Sequence, residues 1–311
     1  MQTHSSTSFP FITPATKQRP IAKQEVARTV GLLTSSLPIS QSRELLPTHR
    51  ESIPYIREHV DHKVNGRITI GGKEAHVIKT LGYGGSKTVF DVEWEGHRLA
   101  LALPNTTDPP RGISGKWASV LKEPENTARI RELGLCTNTL CEAIPIEIDG
   151  TPFLGLVMNR YQDLPYLVLD SKNSQSSDIR EPIIPEGGLD VENFMLMFSP
   201  AIDDLATVLK NNIRMGGDCF SACIDEEGKL RMFFNDLGQG VSIADKPATY
   251  ATALRYAGRA LDAWAASFEE GNEQIRNINP RFFTEFDKWD DDDPTSLQAK
   301  IANKIMERIS S

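Results

Sequence analysis

The sequence predicts an α+β protein in which an antiparallel β-sheet with one main helix is followed by a mainly helical second half. Two observations support this class. Apolar and polar residues alternate between turn signals over residues 67–103, as half-buried strands require. Further along, apolar residues recur at the helical spacing, first at Leu254, Ala257 and Leu261 and then through residues 297–309.

Composition excludes several classes of protein. The 311 residues carry 34 Lys and Arg against 42 Asp and Glu, a net charge of −8. This balance disfavours broad nucleic-acid binding and favours basic or neutral partners. The longest apolar stretches, such as Phe153–Met158, are too short to span a bilayer. The 4 cysteines are too sparse for a disulfide framework and lack the spacing of zinc ligands, which indicates a reducing compartment.

Three regions are predicted along the chain. Residues 1–52 are expected to be disordered, because the segment up to Gln24 has no acidic residue and is rich in Ser, Thr and Pro. Residues 53–162 form the first lobe and residues 163–311 the second. The polar stretch Asp170–Gly188 is interpreted as a linker or surface loop between them.

The elements follow from periodicity and turn residues. In the second half, Ser199 before Pro200 is expected to cap a helix, and a strand pair precedes the two late helices. An Asp-Gly pair is expected to close a hairpin in the first half. The predicted strands are Arg67–Ile70, Ala75–Leu81, Thr88–Trp94, Arg98–Leu103, Ala143–Ile148, Phe153–Tyr161, Ala222–Asp225 and Leu230–Phe234, and the main helix of the first half is Trp117–Leu133.

A glycine-rich stretch, residues 81–90, lies between two of these strands. Strand alternation resumes directly after it, so it predicts a β-hairpin and not the strand-to-helix turn of other phosphate-binding loops. Glycines allow the backbone to approach phosphate oxygens, and successive amides can form an anion-binding concavity. The alternative is a tight hairpin without a ligand.

Three motifs together resemble the protein-kinase superfamily over roughly residues 67–270. Gly82-x-Gly84 is similar to its glycine-rich loop, Asp218 to its catalytic-loop aspartate, and Asp236-Leu237-Gly238 to its metal-binding motif, 18 positions later. The resemblance implies a bilobal protein-kinase-like fold with an abbreviated second lobe. It also implies ATP and Mg²⁺ as cofactors.

The lysine expected on the third strand is absent, and Ala102 stands in its place. The loop is instead similar to that of the with-no-lysine kinases, in which a lysine of the glycine-rich loop reaches the same pocket. Lys87 holds that position, although it could also be an ordinary exposed lysine of the hairpin. The resemblance implies nucleotide contacts from Gly82, Tyr83, Gly84, Gly85, Ser86, Lys87, Ala100 and Met158.

The resemblance also implies a carboxylate that pairs with this lysine from the main helix of the first lobe. Glu125 is the predicted partner, with Glu123 and Glu132 as competitors. Ile130 and Leu133 mark the inward face of the helix, while Pro124 obscures where the helix begins.

The catalytic loop departs from the family pattern. Its His-Arg pair is replaced by two glycines, yet Asp218 is kept and is implied to orient the attacking hydroxyl. Asp236 is the implied metal ligand. The second ligand, usually an asparagine, is Cys223, and a thiol binds Mg²⁺ poorly. Either Asp236 suffices, or Asn235 or Asp225 substitutes, or the protein binds nucleotide without efficient transfer.

Only 73 residues follow Gly238, and no Ala-Pro-Glu signature is present. Such minimal kinases resemble bacterial effectors, and the acid-free start is similar to type III or type IV export signals, although a plain flexible tail fits equally well. The expected function is transfer of the ATP γ-phosphate to Ser or Thr of a protein, in a host cell and with a possible host activator. The alternatives are a pseudokinase that serves as a binding module and a small-molecule or lipid kinase.

Overall fold

The computed structural model describes residues 67–84, 86–104, 113–169, 191–269 and 294–311. The predicted disordered segment 1–52 and the linker Asp170–Gly188 lie outside them, and the boundary between residues 162 and 163 stays a prediction. Helices and an antiparallel sheet occur together, so the predicted α+β class is confirmed. None of the helices in the described ranges is long and apolar enough to cross a membrane.

Twelve strands and six α-helices make up these ranges. The strands are β1 (Ile68–Ile70), β2 (Lys73–Tyr83), β3 (Lys87–Trp94), β4 (His97–Pro104), β5 (Cys136–Thr137), β6 (Cys141–Ile148), β7 (Thr151–Met158), β8 (Leu167–Leu169), β9 (Ile213–Arg214), β10 (Phe220–Ile224), β11 (Leu230–Phe234) and β12 (Ser242–Ile243). The helices are α1 (Ile113–Val120), α2 (Glu123–Glu132), α3 (Val191–Met197), α4 (Ser199–Lys210), α5 (Tyr250–Glu269) and α6 (Leu297–Ser310).

The first sheet is a closed antiparallel barrel with strand order β1-β2-β3-β4-β7-β6. Closure comes from β1, which pairs with β2 on one side and with β6 on the other, Ile68 lying opposite Ile148. Alternate residues of the strands point inward and fill the interior, including Phe90, Leu101 and Ile146. A closed barrel leaves no free edge strand, and it gives the hairpin of β2 and β3 a rigid support.

The second sheet has strand order β5-β11-β10-β8. One face, with Phe220, Ala222 and Ile224, packs into a large apolar core shared with α4, α5 and α6. The opposite face, with Cys223 and Phe233, forms a smaller cluster. Two loops next to this sheet carry the candidate site: one directly precedes β10 and the other directly follows β11.

Two boundaries differ from the prediction. The helix expected over Trp117–Leu133 is broken into α1 and α2 at Leu121 and Lys122, because Pro124 lacks an N–H and suits only the first turn of a new helix. Helix α4 has Phe198 at its N-cap, with no side-chain hydrogen bond, so Ser199 is its first helical residue and not its cap. The two late helices and the β10–β11 pair occur as expected.

Candidate active site

The glycine-rich stretch is a β-hairpin, as predicted. Gly82 lies opposite Val89 and Tyr83 opposite Thr88, and the Gly84 N–H donates to the Lys87 carbonyl at 2.9 Å. Tyr83, near the tip of the hairpin, is 63% exposed. Ser86 lies in the turn, and Gly85 is outside the described residues.

Gly82 and Gly84 are not required by the protein's own backbone. Neither has a positive φ, and a Cβ atom built on either would meet no atom within 4 Å. Glycines that relieve neither strain nor crowding leave room for something that approaches from outside the chain. Both positions therefore fit a surface that a ligand covers.

Lys87 is the first residue of β3, and its ammonium lies between two carboxylates. Nζ is 2.6 Å from Glu123 Oε2 and 2.8 Å from Asp236 Oδ1, and the lysine side chain is only 12% exposed. Burial by itself would lower the pKa of Lys87, but attraction to the two carboxylates outweighs it and raises the pKa above its usual 10.5. Lys87 therefore carries a permanent positive charge in a largely enclosed position.

Glu123 is the carboxylate that meets this lysine from the helix. It is the first residue of α2 and is almost fully buried, and a carboxylate is stabilised at a helix N-terminus. The prediction that Glu125 is the partner is wrong, because its side chain is 74% exposed and pairs with Arg129 one turn later. The new helix begins directly before Pro124, which turns Glu123 inward and Glu125 outward.

Asp236 follows β11 in a loop that α1 and α2 hold tightly. Its φ is 49°, in the left-handed region that aspartate tolerates better than most residues. Asn126 of α2 donates to the Leu237 carbonyl at 2.7 Å. A Cβ on Gly238 would lie 2.6 Å from Val120 Cα, so only glycine fits there. These contacts fix the Asp236 carboxylate opposite Lys87.

Asp218 lies in a single 3₁₀ turn, Gly217–Cys219, and its side chain is exposed. This loop is attached to the Asp236 loop by two hydrogen bonds at Cys219. The Cys219 thiol donates to the Asp236 carbonyl at 3.6 Å, and the Asn235 N–H donates to the Cys219 carbonyl at 3.2 Å. The two aspartates are thus held on adjoining loops.

Cys219 is fully buried under these loops. Burial, together with the carboxylate of Asp218, raises the pKa of the Cys219 thiol to about 12. A second connection runs from the Gly216 N–H to the Gly240 carbonyl at 2.9 Å. A Cβ on Gly240 would come within 2.9 Å of Cys219 Sγ, so the close approach of the two loops depends on this glycine. Sequence reasoning missed Cys219 and Gly240, and the repeated glycines around Gln239 were the available signal.

A buried apolar cluster adjoins the hairpin. Ala100 of β4 lies directly opposite Met158 of β7, and both belong to a buried cluster against which Leu81 and Val89 pack. The structure therefore brings the two predicted apolar contacts together. Ala102, two residues after Ala100, stands where the strand lysine is expected and is fully buried in the same cluster.

Cys223 is not a metal ligand, which corrects the prediction. It is fully buried in β10 on the face away from the large core, in the same cluster as Cys136, and burial raises the pKa of its thiol. Strand β10 already begins at Phe220, so the position five residues after Asp218 lies inside the strand and not at the end of the loop.

Of the other two candidate metal ligands, Asp225 is occupied elsewhere and Asn235 only in part. Asp225 accepts the backbone N–H groups of Glu227 and Lys229 and closes the β10–β11 turn. The Asn235 amide nitrogen donates to Tyr161 and Ser221, but its oxygen Oδ1, the atom that could bind a metal, is buried and accepts no hydrogen bond from the described residues. Among the described residues no group of three His, Cys, Asp or Glu side chains is placed to hold a metal. The 38% exposed carboxylate of Asp236 still fits Mg²⁺, because this ion commonly takes one or two carboxylates together with phosphate oxygens and water.

Comparisons with known proteins leave the family open. No protein-family model matches the chain, and no curated protein matches it. Among solved structures, three crystal structures of the Mycobacterium tuberculosis PknI kinase domain are similar: a double mutant, a single mutant and the unmutated domain. They are 14%, 14% and 15% identical, with TM-scores of 0.34, 0.32 and 0.32. Each alignment covers 79% of this chain and 98–99% of the other.

Proposed function

We propose that this protein is a phosphotransferase with a bilobal protein-kinase-like fold, which transfers the γ-phosphate of ATP to the hydroxyl of Ser or Thr in a protein. One observation carries the proposal: the Lys87 ammonium lies between the buried carboxylate of Glu123 and that of Asp236, which follows Asp218 by 18 positions. A charged lysine enclosed in this way beside a glycine hairpin is suited to bind phosphate.

Each residue has a defined task in this proposal. The purine ring would pack against the apolar cluster that contains Ala100 and Met158, and the hairpin backbone would cover the phosphates. Lys87 binds the α- and β-phosphate oxygens and is oriented by Glu123. Asp218 accepts a hydrogen bond from the acceptor hydroxyl and directs it toward the γ-phosphate.

Magnesium fits this site through Asp236, where it would neutralise phosphate charge. The chain's own part is to present that carboxylate in one orientation, which the contacts to Leu237 and Gly238 achieve. Host substrate, host activator and export by a bacterial secretion system stay predictions.

A second function, nucleotide binding without transfer, is favoured by one feature. Neither Cys223 nor Asp225 can supply a second metal ligand. A small-molecule or lipid kinase is the third alternative, and the transfer test below separates it from the first.

The test combines binding with transfer. The melting temperature of the full chain should rise with ATP and Mg²⁺ together and rise less with ATP plus a chelator. Labelled γ-phosphate should then appear on protein substrates of a cell lysate. A melting-temperature shift without transfer would favour the binding module, and label on small molecules or lipids alone would favour the third alternative. The absence of both the shift and the label would reject the proposal.

Gly82→Ala and Gly84→Ala should affect stability and binding in opposite directions. Neither position needs glycine in the free protein, so alanine should raise the free energy of unfolding by about 0.4–1 kcal/mol through the unfolded chain. The same methyl group should weaken ATP binding, because it occupies the surface where phosphate approaches. Urea denaturation and ATP titration measure the two effects, and unchanged affinity in both variants would contradict the assignment of the hairpin.

A further inference from the structure

A group of cations beside Asp218 has no acidic partner among the described residues. Residues 213–218 and 240–259 contain four cations and only two acids, in a chain whose net charge is −8. Three of the cations, Arg214, Lys246 and Arg259, are called the basic patch below. In the described part of the chain, no carboxylate forms an ion pair with any of them within 4.0 Å.

Arg259 reaches the catalytic loop from α5. Its Nη1 donates to the Met215 carbonyl at 2.5 Å, and its Nε lies 3.6 Å from where a Cβ on Gly217 would be. The Asp218 carboxylate occupies the neighbouring space, with Oδ1 2.7 Å from where a Cβ on Gly216 would be. The two glycines thus allow a guanidinium and a carboxylate to lie over consecutive residues without forming an ion pair.

Arg214 and Lys246 extend the patch along the other side of the loop. Arg214 directly precedes Met215, and its Nη2 donates to the Lys246 carbonyl at 3.0 Å. The Lys246 side chain itself is exposed. Among the described residues, the hydrogen bonds of both arginines go to backbone carbonyls, which do not neutralise the guanidinium charge. Such a group favours an anion as its partner.

Exposed apolar side chains accompany these cations. Ile243 of β12 is 53% exposed and Tyr250, the first residue of α5, is 41% exposed. Both belong to the segment that carries Lys246. A polypeptide lying across this segment could cover the apolar side chains while presenting acidic groups to the cations, whereas a small anion would leave them exposed.

We infer that the acceptor is an acidic segment of a protein, in which carboxylates or phosphates flank the reacting hydroxyl and bind the basic patch. This inference rests on the proposed function for the role of Asp218. The patch holds the flanking anion, and Asp218 receives the hydroxyl beside it. Acidic segments are therefore the preferred substrates, in contrast to the basic or neutral partners that net charge alone favours.

Three fluorescent peptides test the inference. They share one sequence around a central serine, which is flanked by glutamates, by phosphothreonines or by glutamines. Anisotropy measures their binding to the full chain, and labelled ATP measures transfer to each. The variants are Arg214→Gln, Lys246→Gln and Arg259→Lys, which keeps the donor to Met215. Lys300→Gln, which removes an exposed charge from α6, is the matched control.

The acidic peptides should bind more tightly than the glutamine peptide, and each glutamine substitution in the patch should reduce this preference about fivefold. The preference should also fall at high salt, while Lys300→Gln leaves it unchanged. The glutamate and phosphothreonine peptides distinguish carboxylate from phosphate as the anion. Equal binding of all three peptides, or a preference that the patch variants do not alter, would overturn the inference.

The two readouts separate this inference from the proposed function. Patch-dependent peptide binding without any transfer would uphold the docking of an acidic segment on the basic patch, but it would reject the phosphotransferase and with it the role of that segment as the acceptor. Equal binding and transfer for acidic and neutral peptides would uphold the phosphotransferase and reject the inference. A preference for phosphothreonine that Arg259→Lys alone removes would assign the phosphate to Arg259.

Discussion

Replacing Lys87 by Met in a Glu123→Gln background is expected to reduce phosphoryl transfer by about 10²–10³-fold, the range for loss of one transition-state charge contact. In the proposed function the effect is large because Lys87 takes the role of the strand lysine, and Ala102 cannot compensate from the core. The measurement is the rate of phosphoryl transfer from labelled ATP at saturating Mg²⁺, and we expect this rate to fall.

The double variant is needed because Lys87→Met alone would leave Glu123 as a buried carboxylate without its lysine. Breaking a buried ion pair in this way costs about 3–5 kcal/mol, which could unfold the protein and imitate a catalytic effect. An uncharged glutamine removes that cost. Glu123→Gln alone keeps the lysine, and Lys79→Met removes an exposed lysine of β2; both should retain far more activity.

Full activity of the double variant would contradict the role of Lys87. An equal loss in Lys79→Met would show that general charge, and not this position, matters. Circular dichroism and urea denaturation of every variant confirm that the comparison is between folded proteins.

Asp236→Asn should abolish magnesium-dependent transfer, again by about 10²–10³-fold or more. The amide removes the negative charge that suits Mg²⁺ while keeping the shape of the side chain. Asparagine also tolerates the left-handed φ of 49° at this position. Alanine would add backbone strain of about 1 kcal/mol, so it is the less informative substitution.

Asp149→Asn is the matched control for this prediction. Asp149 also has a left-handed φ, 50°, but lies in the β6–β7 turn, where it accepts the Arg67 N–H at 2.9 Å. It should retain activity. Asp236→Asn protein that is folded and transfers phosphate at the normal rate would exclude Asp236 as the metal ligand.

The hairpin and the late helices could be read from the sequence, because each depends on local patterns. The approach of Lys87 to Asp236, which are far apart in the chain, is implied only by the resemblance to protein kinases. Two glycines and a lysine between alternating runs define a hairpin whatever lies around it. Closure of the barrel could not be read in this way. The pairing of β1 with β6 joins residues about eighty positions apart, and nothing local marks those two strands as partners.

The two errors in the site have a common cause. The prediction of Glu125 rests on helical periodicity and that of Cys223 on counting positions, whereas both roles depend on where a helix or strand begins. Pro124, the second residue of α2, fixes the start of the helix at Glu123 and turns Glu125 to solvent. Strand β10 begins only two residues after Asp218, which carries Cys223 into the core. Such boundaries depend on packing between elements.

The central claim is that Lys87 is the phosphate-binding cation of a nucleotide site. Titration calorimetry with ATP and with adenosine, on wild type and on the Lys87→Met, Glu123→Gln double variant, tests it most directly. The account predicts that the substitutions weaken ATP binding strongly and leave adenosine binding unchanged, because only the phosphates contact the lysine. Equal weakening for both ligands, or no weakening for either, would contradict it.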